Sequence, residues 1–307
     1  MIWAALGDPG GYVEPFAGSA AVLLARPPFE GRRMETLNDA DGWLVNAYRS
    51  IKLSPAEVIN HLQWPLTEID LHARLAWLQS RRNDDLVSWL EGDPEHHDAK
   101  AAAWWLYAMS GSIAVPFAQG PWHVSDNRLQ KLVASPRGIK RQRPHLSNSG
   151  QGTFRANIDL EDYMHQLATR LRYVRITCGD WKRACTMSAQ GFAGNSTRAV
   201  LLDPPYSNGS HLYAHADASV VTEVAEWCRH AERNWRIVLC GREDWDGGIY
   251  EGLLNLGWKK VTARPTTSGY GAVSFKDTKE SLWLSPACLD ISQQLLFTLR
   301  SESDDHE

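Results

Sequence analysis

Short apolar runs separated by helical periodicity set the rhythm at both ends of the chain. Tyr12-Val13-Glu14 reads as a strand, Phe16-Ala17-Gly18-Ser19 as a turn, and residues 20–26 as a helix stopped by Pro27-Pro28. Residues 34–37 predict a second strand ending at Asn38-Asp39, and a helix over 43–51 follows. From Pro55 to about Tyr107 the period is helical, interrupted by an acidic stretch over 92–98. The first rhythm then returns. A helix over 160–171 precedes apolar strands at 174–178, 199–203 and 236–240, with a helix over 218–233 between the last two. Residues 259–263 and 281–284 predict a closing strand pair. Alternating strands and helices imply an α/β layer fold. Its pattern divides the chain into a split domain, 1–60 plus 160–307, around an insertion over 61–159 that is helical and then loop-rich. No internal repeat or low-complexity tract is present.

Composition narrows the class. Hydrophobic residues make up 43% and charged residues 22% of the 307 positions, which excludes disordered and collagen-like chains. The longest apolar run, 101–109, is too short to span a bilayer, and Met1 to Leu6 meets Asp8 and Pro9 without a basic segment. The expectation is a protein with no membrane partner and no secretory signal, in the cytoplasm. The five cysteines form no CxxC pair and read as reduced thiols. The 14 Trp residues serve core packing as readily as base stacking.

The net charge of −4 argues against a nucleic-acid partner until its distribution is considered. Arg128, Lys131, Arg137, Lys140, Arg141, Arg143 and Arg155 fall in one segment without an acid, leaving 25 basic against 36 acidic residues elsewhere. A basic segment on an acidic body fits either an anion-binding surface or a solvated loop. Within it, Ser147-Asn148-Ser149-Gly150-Gln151-Gly152 marks loop structure.

Two motifs carry chemistry. In Leu201-Leu202-Asp203-Pro204-Pro205-Tyr206-Ser207, an apolar strand runs into an acid, two prolines and an aromatic ring. The prolines remove two backbone donors, so the loop presents carbonyl oxygens and the Asp203 carboxylate beside the Tyr206 ring. That acceptor-only pocket suits a flat substrate offering an exocyclic amine and a π-face. Glu14-Pro15-Phe16-Ala17-Gly18-Ser19-Ala20 is a strand, a small-residue turn and a helix start, and Asp39 follows Gly18 by 21 positions. An acid at that distance on the next strand end can accept hydrogen bonds from ribose hydroxyls. Glu95-His96-His97-Asp98 reads as an exposed acidic loop and not a metal site, and no metal is expected.

These residues resemble the Dam-like DNA adenine-N6 methyltransferases, in which an AdoMet-binding Glu-Pro-Phe-x-Gly motif precedes a target-recognition insertion and then Asp-Pro-Pro-Tyr. Asn38-Asp39-Ala40-Asp41 through Val45-Asn46-Ala47-Tyr48 is similar to the family's second motif, Cys178-Gly179-Asp180-Trp181 to the strand end that meets the AdoMet adenine, and residues 269–284, with Lys279, Glu280 and Leu282, to its closing hairpin. The resemblance implies a Rossmann-like class I AdoMet-dependent fold, a mainly parallel sheet with helices on both faces and a DNA-binding insertion, in a bacterial or phage-borne enzyme. It assigns AdoMet to Tyr12, Glu14, Pro15, Phe16, Gly18, Ser19, Asn38, Asp39, Asp180, Trp181 and Asp203. It assigns transfer to Asp203, Pro204, Pro205 and Tyr206, and double-stranded DNA to the basic segment. Cytosine N4, an RNA or modified base, and a catalytically inactive DNA-binding relative stay open as alternatives. Gly10-Gly11 stands where the family carries Gly-Gly-Lys, and Ala20 where it usually carries a second glycine.

Overall fold

The computed structural model describes residues 1–28, 31, 33–62, 67–81, 85–111, 122–125, 128–131, 159–186, 197–205, 219–243, 246–262 and 280–290. The strands are β1 (Gly11–Glu14), β2 (Met34–Asp39), β3 (Trp122–Ser125), β4 (Arg128–Lys131), β5 (Val174–Cys178), β6 (Arg198–Leu202), β7 (Arg236–Arg242), β8 (Lys259–Thr262) and β9 (Glu280–Leu284). Seven of them form one sheet in the order β5-β2-β1-β6-β7-β9-β8, parallel from β5 to β7 and antiparallel at β9 and β8. A separate antiparallel pair, β3 with β4, lies in the insertion.

The helices are α1 (Ile2–Leu6), α2 (Ala21–Leu24), α3 (Gly42–Leu53), α4 (Pro55–Leu62), α5 (Glu68–Ser80), α6 (Asp85–Gly92), α7 (Ala99–Gly111), α8 (Leu160–Leu171), α9 (Trp181–Ala184), α10 (Ser219–His230) and α11 (Gly247–Tyr250). Side-chain alternation along the central strands explains why both sheet faces are covered. Ala199 and Leu201 of β6 join Tyr12, Leu37 and Val174 in a cluster with α1, α3, α4, α5, α7 and α8. Val200 and Leu202 turn the other way and meet Ile237, Leu239 and Trp283 under α10. Helices α4, α5 and α7 therefore bury Val58, Leu71, Leu78 and Tyr107 in the same cluster as the sheet.

Several bounds differ from the sequence expectation. Helix α2 holds four residues because Ala20 takes a left-handed φ of 51°, the conformation a glycine adopts without strain. Strand β2 runs on through Asn38 and Asp39, which pair with Thr177 and Cys178 although the apolar pattern stops at Leu37. Strand β6 ends at Leu202, leaving Asp203 beyond the ladder. Helix α1 was not expected; it is fastened by the Trp3 indole, which donates to the Val22 carbonyl and packs on Tyr12.

Candidate functional site

Because β5, β2, β1 and β6 are parallel, their carboxyl ends share one edge. The chain winds from β1 to β2 and β5 on one side, then to β6 and β7 on the other, so the strand order reverses between β1 and β6. Open α/β sheets bind ligands at such a reversal. Four sequence-singled segments meet there: Glu14 to Gly18 after β1, Asn38-Asp39 at the end of β2, Gly179-Asp180 after β5, and Asp203 after β6.

Asn38 and Asp39 organise three of them. Asn38 is 2% exposed; its Nδ2 donates to the carbonyls of Pro15 and Gly179, each at 3.0 Å, and its Oδ1 accepts from Thr177 Oγ1 at 2.9 Å. Its own carbonyl accepts from the Ala17 N–H. Asp39 Oδ2 accepts from the Gly18 N–H at 3.0 Å and Oδ1 from the Asp41 N–H at 2.9 Å. Burial raises the Asp39 pKa above the ordinary value, against those backbone donors. Gly18, at φ 48°, is held from its other side by Tyr48, whose hydroxyl donates to the Gly18 carbonyl. A Cβ at Gly18 would meet nothing within 4 Å, so the turn is open to solvent or a ligand. Ser19 is exposed beside it.

The aromatic wall is Phe16, half-buried, with its ring centroid 5.6 Å from that of Trp181. Trp181 is buried and continues to Trp227 at 6.0 Å, so it backs Phe16 from within the core. Asp180 caps α9 through the Lys182 N–H and sits at the surface. Tyr12, expected at the ligand, is fully buried, and its hydroxyl donates to Glu14 Oε1 at 2.7 Å. Burial pushes Glu14 up to about 7, and the neighbouring Asp203 and Glu35 carboxylates add to the rise.

Asp203 is exposed just beyond the end of β6. Desolvation pushes its pKa up to about 6, with the Glu280 carboxylate of β9 contributing. Pro204 is buried and Pro205 half-buried. Tyr206 lies outside the described residues, as do Arg137, Lys140, Arg141, Arg143, Arg155 and the 269–279 part of the expected hairpin. Arg128 and Lys131 are on β4, where Arg128 pairs with Ser125 and Lys131 with Trp122.

Sequence reasoning missed Thr177 and reached Tyr48 and Glu280 only as members of motif-like segments, with no role for either, because the partners of all three are remote in the chain. The Glu95–Asp98 side chains diverge: His96 stacks on Trp89, and His97 contacts the Glu95 carbonyl. Among the described residues no group of His, Cys, Asp or Glu is arranged to hold a metal, and no helix is long and apolar enough to cross a membrane.

The fold and edge define a class, a mixed α/β protein whose mainly parallel seven-stranded sheet is compatible with a Rossmann-like architecture. No protein-family model matches the chain, and no curated protein matches it.

Proposed function

We propose that this chain transfers a methyl group from AdoMet to the exocyclic N6 amine of an adenine flipped out of duplex DNA. The observation that carries the reading is the junction at Asn38-Asp39, where three chain-distant turns are tied together beside Asp203 at the reversal of strand order. The donor set suits the cofactor. Two backbone N–H groups occupy part of the Asp39 carboxylate and leave acceptor capacity for ribose hydroxyls. Asp180, with one oxygen engaged by the Lys182 N–H, can take an adenine amine, and Phe16, packed on the next residue Trp181, offers a ring face.

AdoMet, when bound, supplies a methyl group on a sulfonium, already a good leaving group. Orientation of the target amine then supplies most of the acceleration. Asp203 and the Pro204 carbonyl accept hydrogen bonds from the amine, aim its lone pair and stabilise the positive charge that builds on nitrogen; the surplus proton leaves to solvent. Tyr206 is the expected stacking partner of the flipped base, and the basic segment of the insertion the expected phosphate contact.

Single-molecule sequencing of DNA from cells expressing the chain tests the reading, because it reports base and sequence context together. N6-methyladenine at a defined sequence is expected with the wild-type chain and none with Asp203→Ala. No modified base from the wild type would reject the proposal, and N4-methylcytosine would reassign the substrate. In a calorimetric titration Asp39→Ala is expected to weaken AdoMet by about 1–3 kcal/mol, while Asp203→Ala leaves it within about tenfold.

A further inference from the structure

Helix α6 falls in the insertion by sequence position, yet it lies across two turns of the candidate site. Leu90 shares a buried cluster with Val45 of α3 and Cys178 of β5, and Leu86, Val87 and Ile176 pack around it. The approach is close at both turns. A Cβ on Gly42, which opens α3 just after Asp39-Ala40-Asp41, would lie 3.0 Å from Val87 Cγ2 and 3.6 Å from Leu90 Cδ1. Gly179, at φ 116° between β5 and Asp180, faces Glu91: a Cβ there would collide with Glu91 Oε1 and lie 3.2 Å from Arg183 Nη1.

Polar contacts fix the same arrangement. The Glu91 carboxylate takes the Arg183 guanidinium at 2.6 Å, and Arg183 stands on α9, the helix that Asp180 caps. The segment that leaves α6 is tied to α3 twice. Arg49, 5% exposed, donates to the Asp93 carbonyl at 2.8 Å and to the Ile176 carbonyl at 3.4 Å. The Asn46 side chain exchanges two hydrogen bonds with the Asp98 backbone. Glu91 itself stands in the last turn of α6, the end where the helix dipole disfavours an acid. Its own helix therefore does not account for it; the turn it faces does.

We propose that Glu91 is a positioning residue for the cofactor: through Arg183 and the Gly179 backbone it holds the turn between β5 and α9, and with it Asp180, in the geometry that takes the AdoMet adenine. Helix α6 thereby belongs to the cofactor site, a role distinct from the DNA contact that the resemblance implies for the insertion. The inference rests on the AdoMet reading above. Both partners of the pair are partly exposed, so the effect of breaking it is severalfold and not total.

Calorimetric AdoMet titration, methylation kinetics and duplex binding of the full chain test it. Glu91→Arg replaces an attraction to Arg183 by a repulsion and is expected to raise the AdoMet Kd and KM by about threefold to tenfold, with kcat at saturation and duplex affinity kept. Arg183→Glu is expected to do the same, and the exchange of both residues to recover most of the loss. For α6 alone Glu91→Arg is favourable, because it places a cation at the carboxyl end, so a merely helix-stabilising role predicts no loss of AdoMet affinity. Wild-type AdoMet affinity in both single variants, or an exchange variant no better than the two losses combined, would overturn this inference and leave the AdoMet reading standing. A fall in duplex affinity in place of AdoMet affinity would overturn it equally. A wild-type chain that binds no AdoMet would overturn both.

Discussion

Glu14 and Asp203 are acids at the ends of adjacent strands; the Asp203 carboxylate adds to the rise of the Glu14 pKa, and the Glu280 carboxylate to that of Asp203. For Asp203 the carboxylate is the form that accepts the amine, so activity should rise as pH climbs through about 6, where an ordinary aspartate would already be fully ionised. Glu280→Gln removes the neighbouring like charge but leaves the desolvation, so the acid limb of kcat/KM should move down and remain above the ordinary range; a limb unmoved by the substitution would reject the coupling. Glu14 is 2% exposed, with a folded pKa near 7 against an ordinary 4.5. Its folded form holds the proton more tightly than its unfolded form. The penalty is absent below about 4.5, builds as pH rises, and is complete above about 7, on the order of 3 kcal/mol. Urea unfolding of wild type and Glu14→Gln should therefore diverge between pH 5 and 8, with the wild type losing stability relative to the variant. A pH-independent difference would place the Glu14 pKa at its ordinary value.

Elements were legible where periodicity is local. Helix α8 and strand β5 have the expected bounds, and β8 pairs with β9 as the closing hydrophobic runs implied. Helix α1, at five residues, is shorter than the window in which a helical period declares itself. The left-handed Ala20 was hidden because alanine is an ordinary helix former, and only the turn geometry sets its φ. Motif residues could be picked out of the sequence; their joinery could not. Asn38 is polar at the end of an apolar strand, and nothing local says that its amide reaches carbonyls 23 residues before it and 141 after it. That joinery makes a testable statement about the three turns. Asn38→Leu leaves the Pro15 and Gly179 carbonyls without their donor, a cost of about 1–3 kcal/mol each if they stay buried. Asn38 touches the turns and not the reacting atoms, so the expected signature is a rise of about tenfold or more in the AdoMet KM, with kcat at saturation largely kept. An equal fall in kcat with KM unchanged would mean that Asn38 does not position the cofactor turns.

Hydrophobic patterning separated the insertion from the split domain as a stretch of sequence, but the packing ties its helices to the sheet. Leu71 and Leu78 of α5 and Ala102 and Tyr107 of α7 lie in the cluster that holds Tyr12, Leu37, Val174 and Leu201. An ion-pair network centred on the buried Arg26 and Glu35 ties the start of β2 to α8 and to the N-terminal segment: Glu35 takes Arg26 and Arg170, and the more exposed Asp8 takes Arg26 and Arg33. Two segments that share one apolar cluster cannot expose it separately, so helices α4, α5 and α7 and strands β1, β2 and β5 should open together. Leu78 is fully buried, and Leu78→Ala should cost about 2–5 kcal/mol through lost burial and the cavity left behind. If the cluster is one cooperative unit, that loss should appear equally in native-state hydrogen exchange of α7 amides and of β1 and β2 amides. Both sets should lose protection by about thirtyfold to several thousandfold, the factor to which such a cost converts. Loss confined to the helices, with the strands exchanging at the wild-type rate, would make the insertion an independent folding unit docked on a self-sufficient sheet.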